Sequence, residues 1–113
     1  MKSDLKSSAM PRIAFKMQLY PGCEQEYRKR HDQLWPELAN LLKSQGIEDY
    51  AIFLESQTGE LFGYLKIDNP KKLDQLAEEP LMKQWWSYMQ DIMESNEDLS
   101  PVTTPLQEVF YLR

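Results

Sequence analysis

The chain predicts an α+β domain built on an antiparallel sheet, and three observations carry that reading. Apolar and polar residues alternate near the N-terminus, the period of a strand, and two further apolar-rich runs flank a short turn at Thr58-Gly59. Between and after these runs apolar residues recur at three- and four-residue steps, the period of one helical face. Proline or glycine stands at most of the boundaries, where chain direction must change. With 113 residues, 42% of them hydrophobic and 27% charged, the chain suits one domain with a single modest core.

Each element follows in order. From Arg12 to Tyr20, Ile13, Phe15, Met17 and Leu19 share one face of a strand and Lys16 and Gln18 the other, and Pro21-Gly22 ends it. A helical segment then runs from about Cys23 to Ser44, its face marked by Tyr27, His31, Leu34, Trp35, Leu38, Leu41 and Leu42. Pro36 interrupts it, since its ring clashes with the carbonyl four residues earlier. A kink or two helices are expected, the second with Pro36 in its first turn and Gly46 as its stop. Ile47 to Glu55 and Glu60 to Ile67 are the next strands. Asn69-Pro70 opens a helix to about Glu79, with Asn69 as cap, and Pro80 starts another to about Met93. Asn96 to Pro105 reads as a polar loop and Leu106 to Leu112 as a closing strand. The order is β-α-β-β-α-β, a ferredoxin-like α+β sandwich with an antiparallel sheet. Residues 1–10 are expected to form a flexible extension and 11–113 the single domain.

The strands carry apolar residues in both alternating sets. Ile52 and Leu54 point opposite to Ala51 and Phe53, and Phe62 and Tyr64 opposite to Leu61 and Leu65. Helices cover one face of such a sheet, and the other would leave an aromatic patch in water. A homodimer packed sheet to sheet, a dimeric α+β barrel, is the expected solution.

Composition excludes several classes. A net charge of -5 disfavours nucleic acid and anionic membranes, which are bound through clustered Lys and Arg. The one basic cluster, Arg28-Lys29-Arg30, has Glu24 and Glu26 beside it and reads as a solvated helix face. A single cysteine and a single histidine supply neither an internal disulfide nor a Cys/His metal set. Residues 1–10 lack the apolar core of a signal peptide, and no run approaches the roughly 20 apolar residues of a membrane span. A cytoplasmic protein is expected.

The residues that can carry chemistry are few. Trp85 and Trp86 are neighbours, and on a helix they point about 100° apart, so a single core face does not accommodate both. They can serve as one core and one interface residue, or as an aromatic platform for the C–H face of a sugar. His31, the sole histidine, is either an ordinary helix residue or an acid/base group; Tyr27 and Trp35, one turn before and after, share its face. Tyr50 is either a sheet aromatic or a phenol aimed at a ligand. Four dispersed glycines form no phosphate loop, and no serine sits in a recognisable nucleophile elbow. Cys23 lies two helical turns from His31, too far for activation by it. Glu24, Glu26, Asp32 and Glu37 read as helix-surface charges more naturally than as a glycosidase carboxylate pair.

Tyr27-Arg28-Lys29-Arg30-His31 followed by Leu34-Trp35-Pro36-Glu37-Leu38 resembles the first helix of the L-rhamnose mutarotase family. The resemblance continues in Asp49-Tyr50-Ala51-Ile52, in Gln84-Trp85-Trp86-Ser87-Tyr88-Met89 and in Leu106-Gln107-Glu108-Val109-Phe110-Tyr111-Leu112, and so spans Arg12 to the C-terminus. It implies an isomerase that interconverts the α and β anomers of L-rhamnose without cofactor or metal, as a dimer with a ferredoxin-like fold. It implies a proton-donating role for His31 and sugar contacts from Tyr27, Tyr50, Trp85 and Trp86. L-rhamnose or a related deoxy-sugar is then the ligand. One departure stands out: the family's usual Asn-Ser-Pro triplet is here Leu99-Ser100-Pro101. Two rival readings share the same architecture, a non-catalytic sugar-binding module and a small dimeric-barrel monooxygenase.

Overall fold

Period-two alternation resolves into strands much as expected. The computed structural model describes residues 10–113, so the extension expected over residues 1–10 lies, Met10 apart, outside the described residues. The elements are β1 (Arg12–Gln18), α1 (Glu24–Asp32), α2 (Pro36–Ser44), β2 (Ile47–Glu55), β3 (Glu60–Ile67), α3 (Lys72–Leu76), α4 (Pro80–Met89) and β4 (Thr104–Leu106). The strands form one four-stranded antiparallel sheet in the order β2-β3-β1-β4.

The register assigns the two faces. Ile13, Phe15 and Met17 stand opposite Leu65, Gly63 and Leu61 and turn towards the helices. Along β3 every second residue (Leu61, Gly63, Leu65 and Ile67) is buried. These join Leu38 of α2, Leu76 of α3, Met82 and Met89 of α4, and Leu19, Ile92 and Met93 in one core. Burial of this apolar area is the main stabilising term for a chain of this size. The other face carries Phe53 opposite Phe62, and Tyr64 between Ala14 and Ala51. Phe53 keeps 65% of its surface accessible.

Four element boundaries differ from the sequence reading. β1 stops at Gln18, because Leu19 bridges to Met93 and the Tyr20 N–H donates to the Ile92 carbonyl at 2.9 Å. The same pairing captures residues 92–94, so α4 ends at Met89 and not near Met93. α3 is confined to Lys72–Leu76. At its start, Lys72, Leu73 and Asp74 donate to carbonyls three residues back, a tightened turn, and the Asn69 side chain accepts only from the Lys71 N–H at 3.1 Å. After it, Glu79 precedes proline and takes the extended conformation that Pro80 requires (φ -70°, ψ 131°). Lastly, β4 is Thr104–Leu106, paired with Lys16, Phe15 and Ala14, and residues 107–113 leave the sheet. Their β-favouring residues have no ladder partner among the described residues, and Val109, Phe110 and Leu112 are 90%, 77% and 79% exposed.

Gly63 is required by close approach. A Cβ there would overlap the ring of Phe15, its cross-strand neighbour, which lies flat over the glycine. Gly63→Ala is expected to lower the unfolding free energy by about 1–3 kcal/mol, the usual cost of overpacking. It would be read as a lower urea midpoint at unchanged slope; an unmoved midpoint would mean that the Phe15 ring swings aside freely.

Candidate active site

The helical segment from Glu24 to Ser44 is broken in two, as Pro36 demands. Trp35 is forced extended (φ -59°, ψ 128°), and Pro36 becomes the first residue of α2. The break frees the Trp35 ring to meet α4, at 5.0 Å from Trp85 and 5.7 Å from Tyr88. α1 keeps Tyr27 and His31 one turn apart on the face that looks inward.

His31 is half-buried and held on three sides. Its ring stacks on Tyr27 at 4.3 Å and meets the Trp85 ring at 5.4 Å in a perpendicular arrangement. Its Nδ1 lies 3.0 Å from the Tyr27 carbonyl oxygen. A carbonyl can only accept, so Nδ1 carries the proton of this hydrogen bond and Nε2 is the nitrogen left for other partners. Burial lowers the imidazole pKa below its ordinary value of 6.5, partly offset by that same hydrogen bond and by the charge of Asp32. The neutral ring is therefore the resting form near pH 7.

The tryptophans divide their work. Trp85 is 6% exposed and belongs to the core, edge-on to both His31 and Trp35. Trp86, one residue on, is half-buried and packs only partly against that core.

Tyr50 arrives by a β-bulge. Glu48 pairs with Lys66 and Ala51 with Tyr64, so Asp49 and Tyr50 together oppose the single residue Leu65. Asp49 takes a left-handed φ of 53°, which aspartate tolerates better than most residues. Both bulge residues thereby border the helix side of the sheet. The Tyr50 ring meets Phe15 edge-on at 6.5 Å. Tyr50 keeps 42% of its surface accessible, as befits the wall of an open concavity. The surrounding protein nonetheless pushes its phenol up to about 12. Tyr27, nearly fully buried, is also raised, first by burial and then by Tyr50. Both phenols stay protonated and can donate.

Tyr27, His31, Tyr50, Trp85 and Trp86 all border one concavity of about 770 Å³ between α1, α4 and the sheet. That volume lies within the range of small-molecule sites. Its floor is apolar, with Phe15, Ile52 and Leu65 among its residues, and Glu24, Arg28, Asp32 and Asp49 supply charge. Pro101 and Thr103 also border it, whereas Leu99 does not; Leu99 instead holds a left-handed φ of 72° in the preceding loop.

Arg30 departs from the solvated-face reading. Arg28 and Lys29 are exposed, but the Arg30 side chain is only 10% accessible. It donates to Glu26, to Asp91 and to the Tyr88 carbonyl, and its guanidinium lies 4.4 Å over the Tyr88 ring. The partner that buries it is 61 residues away, and local charge pattern does not reveal it. The bulge at Asp49 was likewise missed; its one available signal is an aspartate where an alternating strand would continue.

Known proteins match this chain along nearly its whole length. A family model described as L-rhamnose mutarotase matches residues 12–112. An L-rhamnose mutarotase of Jannaschia sp. is 50% identical over 103 residues, 91% of this chain and 99% of that protein. One of Flavobacterium johnsoniae is 52% identical over 101 residues, 89% and 94% of the two chains. A crystal structure of L-rhamnose mutarotase from Formosa agariphila superposes with a TM-score of 0.85 at 48% identity, covering 91% of this chain and 99% of that one. By sequence along its length and by fold, the chain belongs to the L-rhamnose mutarotase family.

Proposed function

We propose that the protein interconverts the α and β anomers of L-rhamnose by opening and reclosing the pyranose ring. The observation that carries this reading is the free Nε2 of a neutral His31 at a concavity lined by two protonated phenols and an indole. Opening a hemiacetal removes a proton from the anomeric hydroxyl and delivers one to the ring oxygen. The neutral imidazole takes the first through Nε2 while Nδ1 stays bonded to Tyr27. As the C1–O5 bond breaks, the C1–O1 bond becomes a carbonyl and O5 receives a proton from Tyr27, Tyr50 or a water that they orient. Rotation about C1–C2 presents the other carbonyl face. Ring closure then reverses each transfer, and His31 becomes the donor.

The remaining groups orient the sugar. Trp86 offers its indole to the ring and the 6-methyl group, with Trp85 backing His31. Tyr27 and Tyr50 bond sugar hydroxyls, the latter from the bulge. The residues present require no metal or organic cofactor for this proton chemistry.

The same reading extends to assembly. A ferredoxin-like βαββαβ domain spanning residues 11–113 pairs with a second copy across the aromatic sheet face, and the two sheets form a barrel. Supporting this are the exposure of Phe53 and the unpaired apolar run at residues 109–112. No helix among the described residues is long and apolar enough to cross a membrane, and a cytoplasmic location suits a sugar-metabolising enzyme of this kind.

Three outcomes follow. His31→Ala is expected to lower the enzyme-catalysed exchange between the anomeric protons, measured by NMR saturation transfer, by about 10²–10⁴-fold while leaving the circular dichroism unchanged. Full activity in that variant would remove His31 from the mechanism. The pH profile of kcat/KM should show a single acid limb with its midpoint below 6.5, because activity needs the neutral ring that burial favours. It should stay flat into the alkaline range, since burial holds Tyr50 protonated to about 12; a midpoint above 7 would contradict the assignment. Light scattering at micromolar concentration should give twice 13.4 kDa, and Phe53→Glu should shift it towards the monomer.

A further inference from the structure

We propose that Arg30 is a positioning residue for this reaction: by clamping the C-terminal turn of α4, it holds His31 of α1 in register with Trp85. Its catalytic consequence rests on the mutarotase reading above; its geometry does not.

The guanidinium makes its bonds in two directions. Nε donates to Glu26 Oε2 at 2.8 Å, one turn back on α1, which fixes the plane of the group from its own helix. Nη1 donates to the Tyr88 carbonyl at 2.6 Å and to Asp91 Oδ1 at 2.9 Å, and Nη2 to Asp91 Oδ2 at 3.3 Å. The Tyr88 carbonyl belongs to the last turn of α4, where intrahelical donors run out and a cation is favoured. Asp91, just past the helix, is held below the usual carboxylate range by the same guanidinium.

This clamp spans the two helices that carry most of the site. Tyr27 and His31 stand on α1, Trp85 and Trp86 on α4. The His31–Trp85 contact is an aromatic edge at 5.4 Å, which has a shallow energy and little directional hold. Among the described residues, the side-chain hydrogen bonds that join α1 to α4 and its following turn all come from Arg30. Arg30 immediately precedes His31, so a shift of the clamp becomes a shift of the imidazole over the substrate. A planar fork serves Glu26, a carbonyl and a carboxylate together, which the point charge of lysine cannot.

The test uses Arg30→Lys and Asp91→Asn in the full chain. Anomer exchange is followed by saturation transfer across a range of L-rhamnose concentrations, and the nuclear Overhauser effect between the His31 and Trp85 rings is recorded on the same samples. Arg30→Lys should lower kcat about tenfold with KM within about twofold, because misplacing a reacting group costs rate more than binding. The ring-to-ring signal should weaken in parallel. Asp91→Asn should move both readouts in the same direction, by about threefold in kcat, and decides the matter alone if Arg30→Lys does not fold. Wild-type kcat and an intact ring-to-ring signal, with only a lower melting temperature, would overturn the proposal. So would a raised KM at unchanged kcat. If the wild-type protein shows no anomer exchange, the mutarotase reading falls, while the ring-to-ring signal still reports whether Arg30 holds His31 on Trp85.

Discussion

One-sided covering of the sheet is the constraint on which everything else in this molecule depends. The helices pack on the face made by Phe15, Met17, Leu61, Leu65 and Ile67, and the concavity opens within that layer. A sheet that faced water on its outer side would have no reason to carry Phe53, Phe62 and Tyr64 there. A sheet without α1 and α4 on its inner face would have no histidine or tryptophan at the site. The concavity and the outward aromatic patch therefore lie on opposite faces of the same strands. Alternation along β3 serves both at once, with Leu61 and Leu65 looking in and Phe62 and Tyr64 looking out.

Within the helix layer, the protonation state of each group at the concavity is set by what that group is prevented from doing. His31 cannot choose its tautomer, because the Tyr27 carbonyl accepts from Nδ1. It resists protonation, because burial disfavours the cation. Tyr27 and Tyr50 resist ionisation for the same reason, since burial disfavours a phenolate. The same surroundings thus keep the imidazole neutral and both phenols protonated, the protonation states on which the proposed ring opening draws. Trp85, buried edge-on against His31, contributes to that environment as much as to any direct contact.

Much of this was legible in the residues before any coordinates. β1 follows from alternation, the strands either side of Thr58-Gly59 from apolar-rich runs about a short turn, and the split between α1 and α2 from the covalent geometry of Pro36. The five site residues stand out by residue type, with Tyr27 and His31 also sharing a helical phase, their roles are implied by the family resemblance, and all five border the concavity. What stayed illegible depends on distant partners. Arg30 looks solvated until Asp91, far along the chain, is brought beside it. The end of α4 is set by Leu19 pairing with Met93, which no local propensity encodes. Residues 107–113 have the composition of a strand, but a strand needs a neighbour, and composition does not say whether the neighbour lies in the same chain. The bulge at Asp49 is a matter of one extra residue in a register, invisible without the facing strand.

The position of β1 has a consequence for how the chain is made. It is the first strand to be synthesised yet lies inside the sheet, between β3 and β4. Lys16 pairs with Phe62 and with Thr104, so neither neighbour exists when β1 leaves the ribosome. At translation rates of about 5–20 residues per second, β1 waits roughly 5–20 s for the last strand to be polymerised. During that time β1 can join the β2–β3 hairpin, but its other edge remains open to any strand within reach. The sheet closes only after nearly the whole chain has emerged, which makes folding a late and concerted event. Nascent copies on neighbouring ribosomes would then compete for the same edge.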